Sequence, residues 1–541
     1  MSAIEAARAW LAQDPDEITR TELTTLIAEA ESGSTSGLDA AFAGPLAFGT
    51  AGLRGQLGAG QSRMNRVSVG QAAAGLAAFL LTRTDEPSIV IGYDGRENSD
   101  VFARDTAEIM AGAGIRAMLL PVMTPTPVTA FAVRALDASA GVMITASHNP
   151  PRDNGFKVYL GGPDAGSQIV APSDAQIAAE IARVAETTTF AEIPKGAFET
   201  LGTDVIDRYV EATAAIGEPG EDSTVVYTAM HGVGWDTVSR VVELAGFAPL
   251  VPVLEQRDPD AAFPTVDFPN PEEPGALDLA MKTADRVDAQ LIIANDPDAD
   301  RLSVSVPVDG GWRQLTGNEV GLIFGWDAGS RAKASGTGGV LAASVVSSPG
   351  LEAIAQHFGL GYQSTLTGFK WVSRVDGLIY GYEEALGYLV NPETVRDKDG
   401  ISALLRVLSI HSRLRAEGLT LLDLLDAITD AVGAFASGQV SVRVTELVRI
   451  PEIMAELRAA PPAELAGVAV TAADDLSLAE HGSIGEILRF SMADGSRVMV
   501  RPSGTEPKVK AYIDTHSADG DLDAARGMVD EYATALGELI R

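Results

Sequence analysis

Short apolar runs alternate with longer amphipathic stretches over most of this chain. The runs at residues 88–92, 117–121 and 141–144 each have the length of a buried strand, and a helical pattern separates the first two. Residues 1–40, ahead of them, have a polar, helical pattern. Strands separated by helix-length spacers are typical of parallel βαβ units, so this part of the chain is predicted to form an α/β domain.

The same cycle occurs twice more. The second has apolar runs at 224–229 and 291–294 with a helix near 238–246, and the third has runs at 339–346 and 378–380 before a helix at 401–416. Each cycle contains an apolar run that leads into a polar or acidic turn. We therefore expect three related α/β domains, with boundaries at residues 1–203, 204–308 and 309–432.

The last hundred residues have a different pattern. Alternating strands are predicted at 440–444, 497–500 and 509–513, and a closing helix is predicted from apolar residues at helical spacing between Met528 and Ile540. Residues 433–541 are expected to form a smaller α+β domain.

Composition excludes several classes of function. The 541 residues include no cysteine, so disulfides and thiol catalysis are excluded, and a reducing cytoplasmic location is expected. No apolar stretch reaches the roughly 20 residues of a membrane span, and no signal peptide is evident. A formal charge of −34 argues against nucleic acids and anionic membranes as partners. A phosphorylated substrate would need basic residues collected locally.

The turn at residues 145–150 follows the apolar run 141–144 and contains Ser147 and His148. The carboxyl edge of a parallel sheet is where open α/β proteins place their chemistry. A Ser-His-Asp hydrolase would need Gly-x-Ser-x-Gly, and Ala146 and His148 flank the serine without that glycine pair. Ser147 could carry a phosphoryl group, with Lys157 ten residues later as a basic partner, or it could simply bond its own backbone.

An acidic turn follows the run 291–294. Asp296, Asp298 and Asp300 alternate along it, so their oxygens can converge on one hard cation such as magnesium or calcium. An EF-hand is excluded because Arg301 and Pro307 occupy the positions that need glycine and glutamate. The alternative is a solvated acidic turn, which the preceding apolar strand and the adjacent arginine disfavour.

Two further segments suit anions or sugars. Residues 501–508 combine hydroxyls, glycine and basic side chains in the manner of a phosphate cradle, although hairpin turns often have this composition for conformational reasons. Glu383 and Glu384 follow a strand and could accept hydrogen bonds from sugar hydroxyls, or could simply be acids at a helix start.

Together these segments resemble the α-D-phosphohexomutase superfamily of phosphoglucomutases and phosphomannomutases, over about residues 40–515. Residues 145–150 resemble its phosphoserine loop, 296–301 its magnesium loop, 381–387 its sugar loop and 501–508 its phosphate loop. Residues 48–55 and 92–96 also resemble N-terminal segments of the family. The resemblance implies three α/β/α sandwich domains and a smaller C-terminal domain around a central cleft.

The resemblance also implies a reaction. Phosphorylated Ser147 would give its phosphoryl group to a glucose or mannose monophosphate, and a sugar 1,6-bisphosphate would act as intermediate and activator. Three groups of residues are expected to take part. Ser147, Lys157, Arg54, His148 and Arg301 would be catalytic; Ser147, Asp296, Asp298 and Asp300 would hold Mg²⁺; and Glu383, Glu384, Lys370, Arg501, Ser503, Gly504, Thr505 and Lys508 would bind the substrate.

The sugar loop departs from much of the family, because Ala385 follows Glu383 and Glu384 where a serine is common. This variant resembles the branch that contains phosphoglucomutase-2-type enzymes and phosphopentomutases. A phosphopentomutase, a sugar 1,6-bisphosphate synthase and a non-catalytic sugar-phosphate-binding protein are the alternatives. The partners are expected to be small sugar phosphates, and the protein a monomer or dimer.

Overall fold

A computed structural model describes residues 2–49, 52–444, 448–478, 486–502, 508–517 and 520–540. The chain forms two compact units. One comprises Met1–Leu315 with Gly387–Arg413, and the other comprises Thr316–Leu386 with Leu414–Arg541.

The first sheet has the strand order β1-β5-β4-β2-β3-β7, with β6 paired to β5. Its strands are β1 (Leu53–Gln56), β2 (Ser88–Tyr93), β3 (Arg116–Leu119), β4 (Ala140–Ile144), β5 (Asp153–Leu160), β6 (Ser167–Gln168) and β7 (Glu199–Thr200). The pairs β2–β4, β2–β3 and β3–β7 are parallel, whereas β5 is antiparallel to both β4 and β1. The expected parallel unit is therefore confirmed, and an antiparallel extension is added to it.

Helices cover this sheet. They are α1 (Ala3–Gln13), α2 (Glu17–Glu31), α3 (Ser36–Ala41), α4 (Arg66–Arg83), α5 (Ser99–Gly112), α6 (Thr126–Ala135) and α7 (Ser173–Thr187), and the next helix, α8 (Asp204–Ala214), packs against α6. Strand β4 is buried along its whole length, and α4 is buried on most of its surface. The N-terminal helices join the same core through residues such as Leu23 and Leu38. Burial on both faces explains why the strands appear as continuous apolar runs in the sequence.

The second sheet lies in the same unit and has the order β12-β11-β10-β8-β9. Its strands are β8 (Val225–Thr228), β9 (Val251–Pro252), β10 (Leu291–Asn295), β11 (Leu302–Val308) and β12 (Gly311–Gln314), and its helices are α9 (Gly234–Leu244) and α10 (Asp278–Val287). The central pairs β10–β8 and β8–β9 are parallel. Strand β10 is fully buried, so the acidic turn that follows it begins inside the protein.

The third set of elements provides another parallel sheet, in which β13 lies between β14 and β15. The strands are β13 (Val340–Ser344), β14 (Gly361–Thr365) and β15 (Leu378–Glu383), and a strand of the first unit, β16 (Gly387–Leu389), follows in the chain. The helices are α11 (Gly317–Ser335), α12 (Gly350–Phe358), α13 (Phe369–Val372), α14 (Gly400–Ala416) and α15 (Leu421–Val432).

In the residues that the structure describes, the C-terminal region is an antiparallel sheet in the order β17-β22-β21-β20-β19-β18 with two helices. Its strands are β17 (Ala434–Arg443), β18 (Glu464–Leu465), β19 (Val468–Asp475), β20 (Leu488–Met492), β21 (Arg497–Pro502) and β22 (Lys508–Ser517), and its helices are α16 (Arg449–Ala459) and α17 (Leu522–Leu539). Alternate residues of β20 are buried, as a sheet with one covered face requires. The expected α+β domain is confirmed.

Among the helices of the described ranges, none combines the length and the apolar character needed to cross a membrane.

Candidate functional site

The two turns singled out by the sequence meet in the first unit. Residues 145–150 follow the carboxyl end of β4, and the acidic turn follows the carboxyl end of β10. The Ser147 hydroxyl donates a hydrogen bond of 2.7 Å to Asp296 Oδ2. A serine and an aspartate 149 residues apart in sequence are thus in direct contact.

The Ser147 backbone is held in an uncommon conformation. Its φ of 53° lies in the left-handed region, and the residue is only 2% exposed. The Ser147 N–H donates to Thr145 Oγ1 at 2.8 Å. Non-glycine residues in such conformations are concentrated at functional sites, where the surroundings hold them in place.

Asp296, Asp298 and Asp300 form one buried cluster. Each contributes a carboxylate oxygen, and these oxygens lie within 4.8 Å of one another. Among the described residues, neither Asp298 Oδ1 nor Asp300 Oδ1 has a hydrogen-bond partner, although both are buried. Buried carboxylate oxygens without partners fit a hard cation with oxygen ligands.

Cationic side chains surround this cluster. Lys157 Nζ lies 2.6 Å from Asp298 Oδ2 and 2.9 Å from Asp300 Oδ2. Arg301 Nε lies 3.7 Å from Asp300 Oδ1, and Lys398 Nζ lies 3.2 Å from Asp300 Oδ2. The local collection of basic residues expected against the acidic composition is present.

Burial and the neighbouring charges shift the pKa values of the clustered acids, and the direction of the shift differs between Asp296 and Asp300. Burial, together with the charges of Asp298 and Asp300, raises the pKa of Asp296 well above its usual range. Burial alone would raise the pKa of Asp300, but Lys157 and Lys398 outweigh it and lower that pKa. Burial would lower the pKa of Lys157, but the two carboxylates raise it, so Lys157 stays charged at neutral pH.

Arg54 and His148 flank Ser147. Arg54 Nη1 donates to Asn149 Oδ1 at 3.0 Å, within the serine loop. His148 Nδ1 lies 3.2 Å from Ser147 Oγ. Burial, followed by the charges of Arg301 and Arg54, lowers the pKa of His148 well below its usual value, so its imidazole is neutral at neutral pH. The first unit therefore brings together Ser147, the three aspartates and all the basic residues expected to be catalytic.

The glutamates of the expected sugar loop lie in the second unit and are fixed within it. Glu383 Oε1 accepts a hydrogen bond of 2.7 Å from the Gly368 N–H. Glu384 Oε2 accepts hydrogen bonds from the hydroxyls of Ser344 and Ser347, at 3.2 and 3.1 Å. Both side chains are held by loops at the carboxyl edge of the third sheet.

The other expected substrate residues also belong to the second unit. Lys370 lies in helix α13, Arg501 lies in β21 and Lys508 begins β22. Strands β21 and β22 are antiparallel, with Pro502 paired to Val509. Ser503, Gly504 and Thr505 lie outside the described residues.

Three contacting residues were not expected from the sequence. Lys398 lies in a charged segment that follows no apolar run, so no local pattern marks it. Thr126, at the start of α6, donates through Oγ1 to Asp298 Oδ2 at 2.6 Å. Arg96 was noted only as part of a glycine-containing segment, and its partners are in the serine loop. The signal that the sequence offers for Arg96 is an arginine that follows a glycine shortly after an apolar run.

Four family models match the chain in order. They describe the phosphoglucomutase/phosphomannomutase α/β/α domains I, II and III and the C-terminal domain, and they match residues 45–188, 207–310, 316–431 and 440–530.

Whole-length relatives agree. A probable phosphomannomutase of Haemophilus influenzae is 51% identical over 86% of this chain and 96% of its own length. A human phosphopentomutase is 33% identical over 95% of this chain and 91% of its own. A crystal structure of a putative phosphomannomutase from Thermus thermophilus shares the fold, with a TM-score of 0.70, 24% identity, and coverage of 92% of this chain and 99% of that one. The chain therefore belongs to the phosphoglucomutase/phosphomannomutase family and is a phospho-sugar mutase, an isomerase.

Proposed function

We propose that this mutase interconverts the 1-phosphate and 6-phosphate of glucose or mannose through a phosphoryl group carried by Ser147. The observation that supports it most directly is the hydrogen bond of 2.7 Å from Ser147 Oγ to Asp296 Oδ2, inside a cluster of three buried acids. A hydroxyl in that position can receive a phosphoryl group next to a bound cation and next to several basic side chains.

The reaction requires two transfers. In the first, the bond between phosphorus and Ser147 Oγ breaks, a bond from phosphorus to a sugar hydroxyl oxygen forms, and the hydroxyl proton ends on Ser147 Oγ. In the second, the bond between the phosphorus of the other phosphate and its sugar oxygen breaks, a bond from that phosphorus to Ser147 Oγ forms, and the serine proton ends on the released sugar oxygen. The bisphosphate is thus the proposed intermediate, and added bisphosphate would phosphorylate Ser147 and so act as an activator.

The residues around Ser147 suit the charge that moves in each transfer. Lys157 stays protonated, so it supplies positive charge and hydrogen-bond donors rather than acting as a base. Arg54 and Arg301 add two further guanidinium groups, which bind phosphate oxygens in fixed geometry. His148 is neutral and its Nδ1 contacts Ser147 Oγ at 3.2 Å, so it can exchange a hydrogen bond with that oxygen.

The acid cluster fits magnesium. Asp296, Asp298 and Asp300 would hold the ion, with an oxygen on Ser147 completing the set, because all are hard oxygen ligands. When bound, Mg²⁺ would neutralise charge on the phosphoryl group during transfer.

In the second unit, we propose that Glu383 and Glu384 bind sugar hydroxyls, and that Lys370, Arg501, Ser503, Gly504, Thr505 and Lys508 bind the sugar or the phosphate that does not react. The support is the fixed position of the two glutamates within the third sheet and the basic residues at the ends of β21 and β22.

We also propose that the protein works in the cytoplasm. The absence of cysteine is compatible with a reducing compartment. Small sugar phosphates would be its partners, without a nucleic acid or a membrane. The protein would act as a monomer or a dimer.

A pentose phosphate is the second candidate substrate. Ala385 stands where the sugar loop that this segment resembles commonly has a serine, and a human relative of 33% identity is named phosphopentomutase. The relative of 51% identity, named a probable phosphomannomutase, favours the hexose.

A substrate panel tests the proposal. Glucose 1-phosphate, mannose 1-phosphate and ribose 1-phosphate would be compared by kcat/KM, with Mg²⁺ and a trace of the matching bisphosphate. We expect either hexose phosphate to be preferred at least tenfold over ribose 1-phosphate, and a clear pentose preference would overturn the choice of sugar. The Ser147→Ala variant should lose turnover on every substrate while keeping its melting temperature, and full turnover by that variant would overturn the mechanism.

A further inference from the structure

Arg96 binds the backbone of the loop that carries Ser147. Its Nη2 donates to the carbonyl oxygens of Ser147 and of Asn149, the latter at 2.7 Å. Its Nη1 donates to the carbonyl oxygens of Pro150 and Asp153, at 2.9 and 3.1 Å. One guanidinium group therefore ties down four carbonyl groups within a stretch of seven residues.

Arg96 is itself held on two sides. Its side chain is buried, with 4% of the residue exposed, and its Nε lies 3.5 Å from Asp94 Oδ2. Asp94 Oδ1 in turn accepts the Arg96 N–H at 3.1 Å and the Ser99 hydroxyl at 2.7 Å. On another side, the guanidinium carbon lies 5.0 Å from the centre of the Phe263 ring. A planar cation stacked on an aromatic ring and paired with a buried acid keeps one orientation.

The loop bound by Arg96 needs such support. Ser147 adopts a left-handed backbone conformation with φ of 53°, which costs a non-glycine residue free energy unless its surroundings enforce it. The serine's own carbonyl oxygen is one of the four that Arg96 binds. An Asn149 side chain bonded to Arg54 Nη1 and to Asp153 Oδ2, both at 3.0 Å, braces the same loop from within.

We propose that Arg96, held by Asp94 and Phe263, is a positioning residue for the phosphoryl-carrying serine. It sets the loop backbone so that Ser147 Oγ reaches the acid cluster, and it does so through carbonyl groups rather than through the substrate. This inference rests on the proposed function. Lysine cannot replace Arg96, because an ammonium group lacks the planar set of donors that reaches four carbonyl groups at once.

The consequence is specific to the transfer step. An error of about 1 Å in the position of a reacting atom can reduce the rate about 100-fold. The residues of the second unit that are proposed to bind the substrate lie outside this loop. Loss of Arg96 is therefore expected to lower kcat and the first-order rate constant for phosphorylation of Ser147, with little change in KM. A general loss of folded protein would instead lower the amount of Ser147 phosphorylated in a single turnover and leave that rate constant unchanged.

The test measures the single-turnover phosphorylation of Ser147 by glucose 1,6-bisphosphate, with the time course monitored by quenched-flow mass spectrometry. Steady-state kcat and KM are measured on the same proteins. In this step the serine oxygen forms a bond to phosphorus, the bond from phosphorus to the sugar oxygen breaks, and the serine proton ends on that oxygen. The variants are Arg96→Lys and Phe263→Leu. Arg406→Lys is the matched control, because Arg406 is also buried and also bonds a backbone carbonyl oxygen, that of Ile216.

We expect Arg96→Lys to slow the phosphorylation of Ser147 by about 10- to 100-fold with KM changed less than about twofold. Arg406→Lys should stay within about twofold of the wild type. Phe263→Leu should fold and slow the step by about threefold, with faster amide hydrogen exchange in residues 145–153.

Equal rates for Arg96→Lys and the wild type would overturn the inference, and so would equal losses in the Arg96 and Arg406 variants. Should Arg96→Lys fail to fold, an unchanged rate in Phe263→Leu would overturn it and the expected slowing would support it. A wild-type protein that is active on sugar phosphates but never phosphorylated on Ser147 would instead remove the proposed mechanism, and this inference with it.

Discussion

Replacement of Asp298 by asparagine tests the metal site with little change of shape. Asp298 Oδ2 accepts hydrogen bonds from Lys157 Nζ and Thr126 Oγ1, both at 2.6 Å, and an amide oxygen can accept the same two bonds. The buried Oδ1, which has no hydrogen-bond partner among the described residues, is the atom available to a cation. Asp298→Asn therefore removes one negative charge from the cluster and keeps the side chain's hydrogen-bond acceptor.

The expected effect follows from the charge lost. At an effective dielectric constant of about 20, two unit charges about 4 Å apart interact by about 4 kcal/mol, and a divalent cation doubles this figure. Desolvation of the ion and the carboxylate offsets most of this attraction. The variant also relieves the repulsion between Asp298 and Asp300, which stabilises the protein without metal. A net weakening of Mg²⁺ binding by about 2.7 kcal/mol, or about 100-fold, is what we expect.

The assay is the rate of glucose 1-phosphate isomerisation as Mg²⁺ is added to chelator-treated protein. The half-saturating concentration of Mg²⁺ should rise about 100-fold in Asp298→Asn, while the melting temperature without metal should change little. Asp105→Asn is the control, because Asp105 is a similarly buried acid that pairs with Arg66 and Lys195 instead. A half-saturating concentration within about twofold of the wild type in Asp298→Asn would refute the assignment of this residue to the metal.

Two further substitutions, at His231 and Gly232, test adjacent residues of the segment before α9. Burial lowers the pKa of His231, whose Nε2 contacts Thr265 Oγ1 at 2.8 Å, so the unfolded chain binds the proton at higher pH than the folded one. The neutral His231 side chain therefore contributes its full folding stability above pH about 6.5, and this contribution is lost as the pH falls below that value. Between pH about 7 and pH about 5, the melting temperature of His231→Asn should fall by less than that of the wild type. An equal fall in the two proteins would contradict this prediction. A Cβ on Gly232 would lie 2.3 Å from Pro297 Cα, so Gly232→Ala must shift the acidic turn. We expect calorimetry to show about 1–3 kcal/mol of destabilisation and the Mg²⁺ titration to give a higher half-saturating concentration, and neither effect should appear if the turn tolerates the methyl group.

The sequence predicted the elements that local pattern controls. Strands β4 and β10 are continuous apolar runs because both of their faces are buried, and the polar turns after them were identified as sites for that reason. The carboxyl ends of parallel strands place such turns at one edge, so the chemistry of Ser147 and Asp296 could be predicted from residue type and position.

What the sequence could not predict depends on contacts between distant segments. The sequence indicates Lys157 only as a basic residue ten positions after Ser147, whereas in the structure it lies in β5, an antiparallel strand in which Lys157 pairs in register with Met143. Lys398 reaches Asp300 because the segment after β16 belongs to the first unit, and no periodic pattern records that placement. The sequence shows an arginine at position 96, but it does not show which groups that arginine binds. The four carbonyl groups are brought to Arg96 only by the folded loop.

The most direct test of the account is to find where the phosphoryl group is carried. Purified protein would be incubated with glucose 1,6-bisphosphate and Mg²⁺ and then separated from the free bisphosphate, and phosphorylation would be mapped by peptide mass spectrometry before and after addition of excess glucose 1-phosphate. The account predicts one phosphoryl group on Ser147 that is lost when the sugar monophosphate is added. A protein that turns over substrate while its phosphoryl group is on another residue, or on none, would contradict it.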